Sequence, residues 1–62
     1  MKYSEVERKV KKEGCYEYGE MSGHPLWYSP ITGKYFKLSR HKSQEVATGT
    51  LKNISNDSGV KF

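Results

Sequence analysis

Cysteine is nearly missing from this chain. Cys15 is the only one, so no disulfide can form within it. Histidine is scarce too. His24 and His41 together with Cys15 fall short of the four Cys and His donors of a structural zinc site, and the three stand at no familiar ligand spacing. No metal or other cofactor is expected. Long apolar runs are absent: eight of the first thirteen residues are charged, and nothing approaches the ~20 apolar residues of a spanning helix or the pattern of a secretory signal. The expected setting is soluble, reducing and cytoplasmic, with no membrane association. Repeats, linkers and low-complexity stretches are also lacking, so residues 1–62 are expected to form one domain. A domain of this size buries only roughly 60% of its unfolded surface, which leaves a small core.

Acidic residues are missing from one region in particular. Five of the seven lie at or before Glu20, and none falls between Met21 and Gln44. That same stretch holds Lys34, Lys37, Arg40, Lys42, both histidines, Trp27, Tyr28, Tyr35 and Phe36. Cations interleaved with aromatics suit a phosphate backbone and its bases. The plainer alternative is a solvated strand face on a basic protein of net charge +4.

The chain reads as five short elements. Ser4-Glu5-Val6-Glu7 has the form of a capping box and predicts a helix to about Glu13, with Gly14 free to adopt the left-handed conformation that ends it. Glu5–Lys9 and Glu7–Lys11 are i,i+4 pairs in the favourable order. Val6 and Val10, helped by Tyr3, form its narrow apolar stripe. Cys15 to Glu20 favours a strand, with Met21-Ser22-Gly23 as a turn. A second strand is expected from about His24 to Ser29. Pro30-Ile31-Thr32-Gly33 is a second turn, and a third strand runs from Lys34 to Ser39. Alternation puts Trp27, Phe36 and Leu38 on one face. His24, Leu26, Tyr28 and Lys37 then lie on the other. Arg40 to Ala47 reads as a loop and Thr48 as the N-cap of a second helix. Leu51 and Ile54 face the sheet in that helix, extended by Ala47 or Val46. Gly59 ends it, with Val60 folding back on Ile54 in a Schellman contact. The expected fold class is α+β: an α-β-β-β-α two-layer domain with both helices on one face of a three-stranded antiparallel sheet.

In this order the residues resemble the HicA-like (YcfA-like) family of mRNA interferases. Gly14, a strand and Ser22-Gly23-His24 match the family's Gly-aromatic, strand, Gly-Ser-His pattern, with Ser and Gly exchanged and Pro25 following. Trp27 stands where the family has a large apolar residue three after its histidine. Phe36-Lys37-Leu38-Ser39-Arg40-His41 resembles the Val-x-Val-Pro-x-His segment. Gly49-Thr50-Leu51 with Ile54 and Gly59 is similar to the second-helix signature. The resemblance implies a double-stranded-RNA-binding-domain-like fold. It also implies metal-independent endoribonuclease activity on mRNA as the toxin of a type II toxin–antitoxin system, and neutralisation by a HicB-like antitoxin.

Cutting RNA without metal uses the neighbouring 2′-hydroxyl as nucleophile. The reaction needs a base, an acid, and donors aimed at the developing charge. Imidazole suits the proton transfers because its ordinary pKa of ~6.5 is near working pH. With the resemblance, His24 is the candidate catalytic residue; without it, His24 reads as a surface histidine in a hairpin. Lys37, Arg40, His41, Lys42 and Tyr28 are the candidate RNA-binding residues. Lys37 is either a phosphate contact or a solvated lysine. His41 is either a phosphate or acid–base group or a plain loop residue. Tyr28 either stacks a base or packs as a half-buried cross-strand tyrosine. Two further functions remain open: a non-catalytic RNA-binding module of the same fold, and a protein-interaction domain.

Overall fold

Val6 and Val10, one helical turn apart, decide where the first helix lies. In the computed structural model, which describes residues 1–62, helix α1 spans Tyr3–Lys12 and buries both valines completely. Its start lies upstream of the expected capping box. Lys2 is the N-cap, and its N–H donates to Glu5 Oε1 at 2.9 Å. The Ser4 N–H donates to the Lys42 carbonyl at 3.0 Å, and the Glu7 carboxylate pairs with Lys42 and Lys11. Tertiary partners therefore take both groups of the Ser4–Glu7 box. The same capping role occupies Glu5 in place of its expected pairing with Lys9. At the other end Gly14 takes φ +103°, and the Cys15 N–H bonds back to the Val10 carbonyl at 2.9 Å.

Three antiparallel strands follow in the order β1 (Tyr16–Met21), β2 (His24–Ser29) and β3 (Lys34–Lys37). Cys15 falls outside β1 because its N–H is spent on α1, and it is buried. The β1–β2 turn places Ser22 at φ 52° and Gly23 at φ 79°. Two successive positive φ values are the two-residue hairpin geometry that matches strand twist. Strand β3 is shorter than the expected Lys34–Ser39, although the Leu38 N–H still reaches the Pro25 carbonyl at 3.0 Å. Pro25 thus serves the ladder as an acceptor, the one role its ring leaves it.

Side-chain alternation along β2 sets the two layers. Pro25, Trp27 and Ser29 are buried beneath the helices, while His24, Leu26 and Tyr28 face away. Val6 and Val10 join Cys15, Trp27, Phe36, Leu38, Val46, Ile54 and Val60 in one core. The architecture is the expected α-β-β-β-α, with both helices on one sheet face. No helix is long and apolar enough to cross a membrane.

Helix α2 (Thr48–Ser58) begins one residue earlier than expected, with Ala47 as N-cap and Thr48 already helical. No side chain caps it. Ile54 and Val46 are buried, Leu51 is half-buried and Ala47 is exposed. The C-terminus is an αL cap in place of the expected Schellman pair. The Gly59 N–H bonds the Ser55 carbonyl at 2.9 Å, while the Val60 N–H turns to Ser58 Oγ at 3.2 Å. Val60 is nonetheless in the core with Ile54. The β2–β3 turn serves two further carbonyls of the last turn: Ser29 Oγ donates to the Ser58 carbonyl, and Thr32 Oγ1 to that of Asp57.

Gly59 sits under this junction at φ 76°, and a Cβ there would stand 2.9 Å from the Cγ2 atoms of both Ile31 and Thr32. Both the left-handed backbone and the contact oppose a side chain. Gly59→Ala should lower stability by about 2 kcal/mol or more. Thermal melting checks this, and a midpoint equal to the parent's would show that the turn yields freely.

Candidate functional site

The start of β2 lies where the sheet, the first turn of α1 and the 39–44 segment converge. Two hollows share His24 there. One, of about 370 Å³, is lined by Tyr3, His24, Lys37, Leu38, Ser39 and Gln44. The other, of about 240 Å³, is lined by Gly23, His24, Ser39, Arg40 and His41. Neither contains a carboxylate. The local chain explains how His24 comes to project here: it follows the tight Ser22-Gly23 turn, opposite Met21 in the β1–β2 ladder. Lys37 lies directly opposite Leu26 and so faces the same way as His24.

Arg40 is tied into this corner. Its Nε–H donates to the Gly23 carbonyl at 2.8 Å, and an Nη2–H donates to the same oxygen. Of the guanidinium's five N–H groups, this leaves three for another acceptor. Gly23 has little room for anything larger, since a Cβ would lie 3.2 Å from Arg40 Nη2. The clamp holds the peptide just before His24. His41 is held in the same segment by its own N–H, which donates to Ser39 Oγ at 3.0 Å.

The structure therefore brings together four of the six candidates: His24, Lys37, Arg40 and His41. Lys42 stands apart from these four. Its ammonium pairs with Glu7 on α1, and it lines neither hollow. The pair ties the 39–44 segment to the first helix. Tyr28 shares His24's face but stands four residues along β2, roughly 13 Å away at the usual strand rise. It contacts other tyrosines instead, with ring centroids 5.6 Å from Tyr16 and 5.0 Å from Tyr35. Tyr18 and Tyr35 meet edge to face at 5.1 Å.

The Tyr35 phenol is held above its ordinary pKa of 10.0. Desolvation among the rings contributes most, then the charge and hydrogen bond of Tyr18, then Tyr28 and Tyr16. Because Tyr35 is still 48% exposed, the direction is what counts: the ring stays neutral and able to donate near pH 7.

Sequence reading missed Tyr3, Ser39 and Gln44 as lining residues, the Arg40 clamp, and the gathering of the tyrosines. Only the tyrosines left a signal, in the alternation of Tyr16 with Tyr18. No group of three or more His, Cys, Asp or Glu side chains converges anywhere in the chain.

A two-layer α-β-β-β-α domain with an uncovered sheet and a basic, histidine-bearing corner belongs to the double-stranded-RNA-binding-domain-like class. The family model described as the HicA toxin of bacterial toxin–antitoxin systems matches residues 3–60. The chain belongs to the HicA toxin family, which makes it the toxin member of such a pair and an antitoxin its partner. Neither the curated proteins nor the solved structures gave a match.

Proposed function

We propose that this toxin is a metal-independent mRNA endoribonuclease with His24 as its general base. One observation carries the reading: His24 and His41 line a single hollow with the Arg40 guanidinium in it. Two imidazoles and a cation beside one space are the groups that phosphodiester transfer requires.

As a 2′-oxygen forms its bond to the adjacent phosphorus, its proton passes to a neutral nitrogen of His24. The bond from phosphorus to the 5′-oxygen breaks, and that oxygen takes a proton from the His41 imidazolium. The products are a 2′,3′-cyclic phosphate and a free 5′-hydroxyl. The three remaining N–H groups of Arg40, together with the Lys37 ammonium, stabilise the charge that builds on the phosphorane oxygens. The reaction belongs in the cytoplasm, where mRNA is available. A HicB-like antitoxin would neutralise the toxin by covering this corner, and the lack of carboxylates around it suits an acidic partner surface.

Incubating the purified protein with an mRNA transcript in excess EDTA tests the reading. Cleavage should persist and leave 5′-hydroxyl ends. Loss of cleavage in EDTA with recovery on adding a divalent cation would overturn metal independence. If the transcript stays intact under all conditions, the nuclease reading is wrong.

A further inference from the structure

The face of the sheet opposite the helices carries four tyrosines in ring contact. Tyr16 pairs with Tyr28 and Tyr28 with Tyr35 across the ladder, and Tyr18 closes on Tyr35. A β-bulge between Glu17 and Gly19 falls at Tyr18. It adds one residue to β1: Tyr18, two residues on from Tyr16 and on its face, has no direct ladder partner, and the residues after it change faces, so that Gly19 and Met21 join the open face and Glu20 leaves it. Glu17 and Glu20 stand opposite the core-facing Trp27 and Pro25, so the open face has no carboxylate. What it has besides tyrosine is Met21, Leu26, Lys37 and His24. Gly19 puts no side chain over Leu26, and a Cβ there would meet nothing within 4 Å. A shallow gap thus lies between the rings and the His24 corner.

Cross-strand pairing accounts for part of this arrangement, since aromatic pairs stabilise a sheet. It does not account for Tyr18, which sits on the bulge, is 63% exposed, and has no directly opposite partner in the ladder. Neutral aromatic rings in a row, free of negative charge and ending at cations, match the chemistry of unpaired bases on a phosphate backbone. A duplex offers only grooves and backbone, and its stacked bases have no face to give.

We propose that the open sheet face is a stacking track for a single-stranded RNA segment, with Tyr16, Tyr18, Tyr28 and Tyr35 holding its bases and Lys37 and His24 at the end where the strand is cut. This rests on the ribonuclease reading above and adds the substrate class. Cleavage then falls at one end of a short stretch that must be unpaired. Stacking tolerates any base, so base preference within that stretch is weak.

The test uses a dye-labelled single-stranded RNA octamer of mixed sequence with a 2′-O-methyl group at every position, which removes the nucleophile and prevents cleavage. Its binding is followed by fluorescence anisotropy. Tyr18→Ala and Tyr35→Ala should each weaken binding by about 5- to 150-fold, the loss of one stacked base, while Tyr18→Phe and Tyr35→Phe keep the ring and bind close to the parent. A duplex of the same sequence should bind more weakly than the single strand and respond little to these changes. Thermal melts of each variant guard against loss of fold. Parental binding by folded alanine variants would overturn the track, and if those variants also fail to bind the antitoxin, the face is a protein interface. Cleavage of unmodified mRNA by the parent separates the two readings. A parent that cuts RNA while the alanine variants bind unchanged removes only the track. A parent that neither binds nor cuts removes both.

Discussion

His24→Ala should fold as the parent does and lose RNA cleavage by roughly 10²–10⁴-fold, the usual contribution of a positioned acid–base group. The fold should survive because the side chain is exposed and faces away from the core. The strand that carries it is held by Pro25, Trp27 and Ser29 beneath. RNA affinity should fall little, since one neutral imidazole adds little to binding driven by the phosphate backbone. Lys37→Ala should do the reverse, weakening binding and flattening its salt dependence with a smaller effect on the bound-state rate. The measurements are single-turnover cleavage, growth after induced expression, and a circular dichroism spectrum as control. A folded His24→Ala variant that cuts RNA and arrests growth like the parent would remove His24 from the base role and make His41 the next residue to test.

Trp27→Ala should leave the domain largely unfolded. Trp27 is fully buried, stacks on Phe36 with centroids 6.4 Å apart, and carries the Lys11 ammonium 5.8 Å above its ring. Truncating a buried aromatic costs about 3–5 kcal/mol. A domain of this length holds only roughly 3–9 kcal/mol in total. Trp27→Phe should cost much less than that volume loss alone suggests. The indole Nε1–H is buried without a hydrogen-bond partner in the protein, and phenylalanine removes this donor, whose burial costs about 1–3 kcal/mol. Urea unfolding of the three proteins checks the order. An alanine variant within about 1 kcal/mol of the parent would contradict the burial argument.

The strands and helices were legible because their signals are local. Tyr16 and Tyr18 favour strand, Pro30 and Gly33 mark a turn, and Val6 and Val10 recur at helical spacing. The helix starts were read less well. Ser4 and Glu7 have the right spacing for a cap, but the Lys42 carbonyl and ammonium, brought in from the 39–44 segment, compete for them and win. Thr48 similarly yields the cap position to Ala47.

The candidate site divides the same way. The facing of His24 and Lys37 follows from strand alternation, which depends only on the period of the backbone. Whether a cation beyond the strands points at the site depends on where a loop returns. Arg40 and His41 return to His24, whereas Lys42, one residue further, turns to Glu7. Charge composition cannot separate Arg40 from Lys42, because both carry a full positive charge in the sequence and only the carboxylate within reach differs.

By itself, then, the sequence determined the order of the elements, which strand residues face the helices, the absence of acidic groups from Met21 to Gln44, and membership of the family. Each is set by local backbone preference, side-chain periodicity or composition. Tertiary structure alone decided that Arg40 clamps the Gly23 carbonyl, that Lys42 pairs with α1, and that a bulge at Tyr18 turns Glu20 away from the face where four tyrosines meet. Those outcomes turn on which groups from distant segments come within bonding distance, and that is settled when the helices seat Val6, Val10 and Ile54 on Trp27 and fix the path of every loop between them.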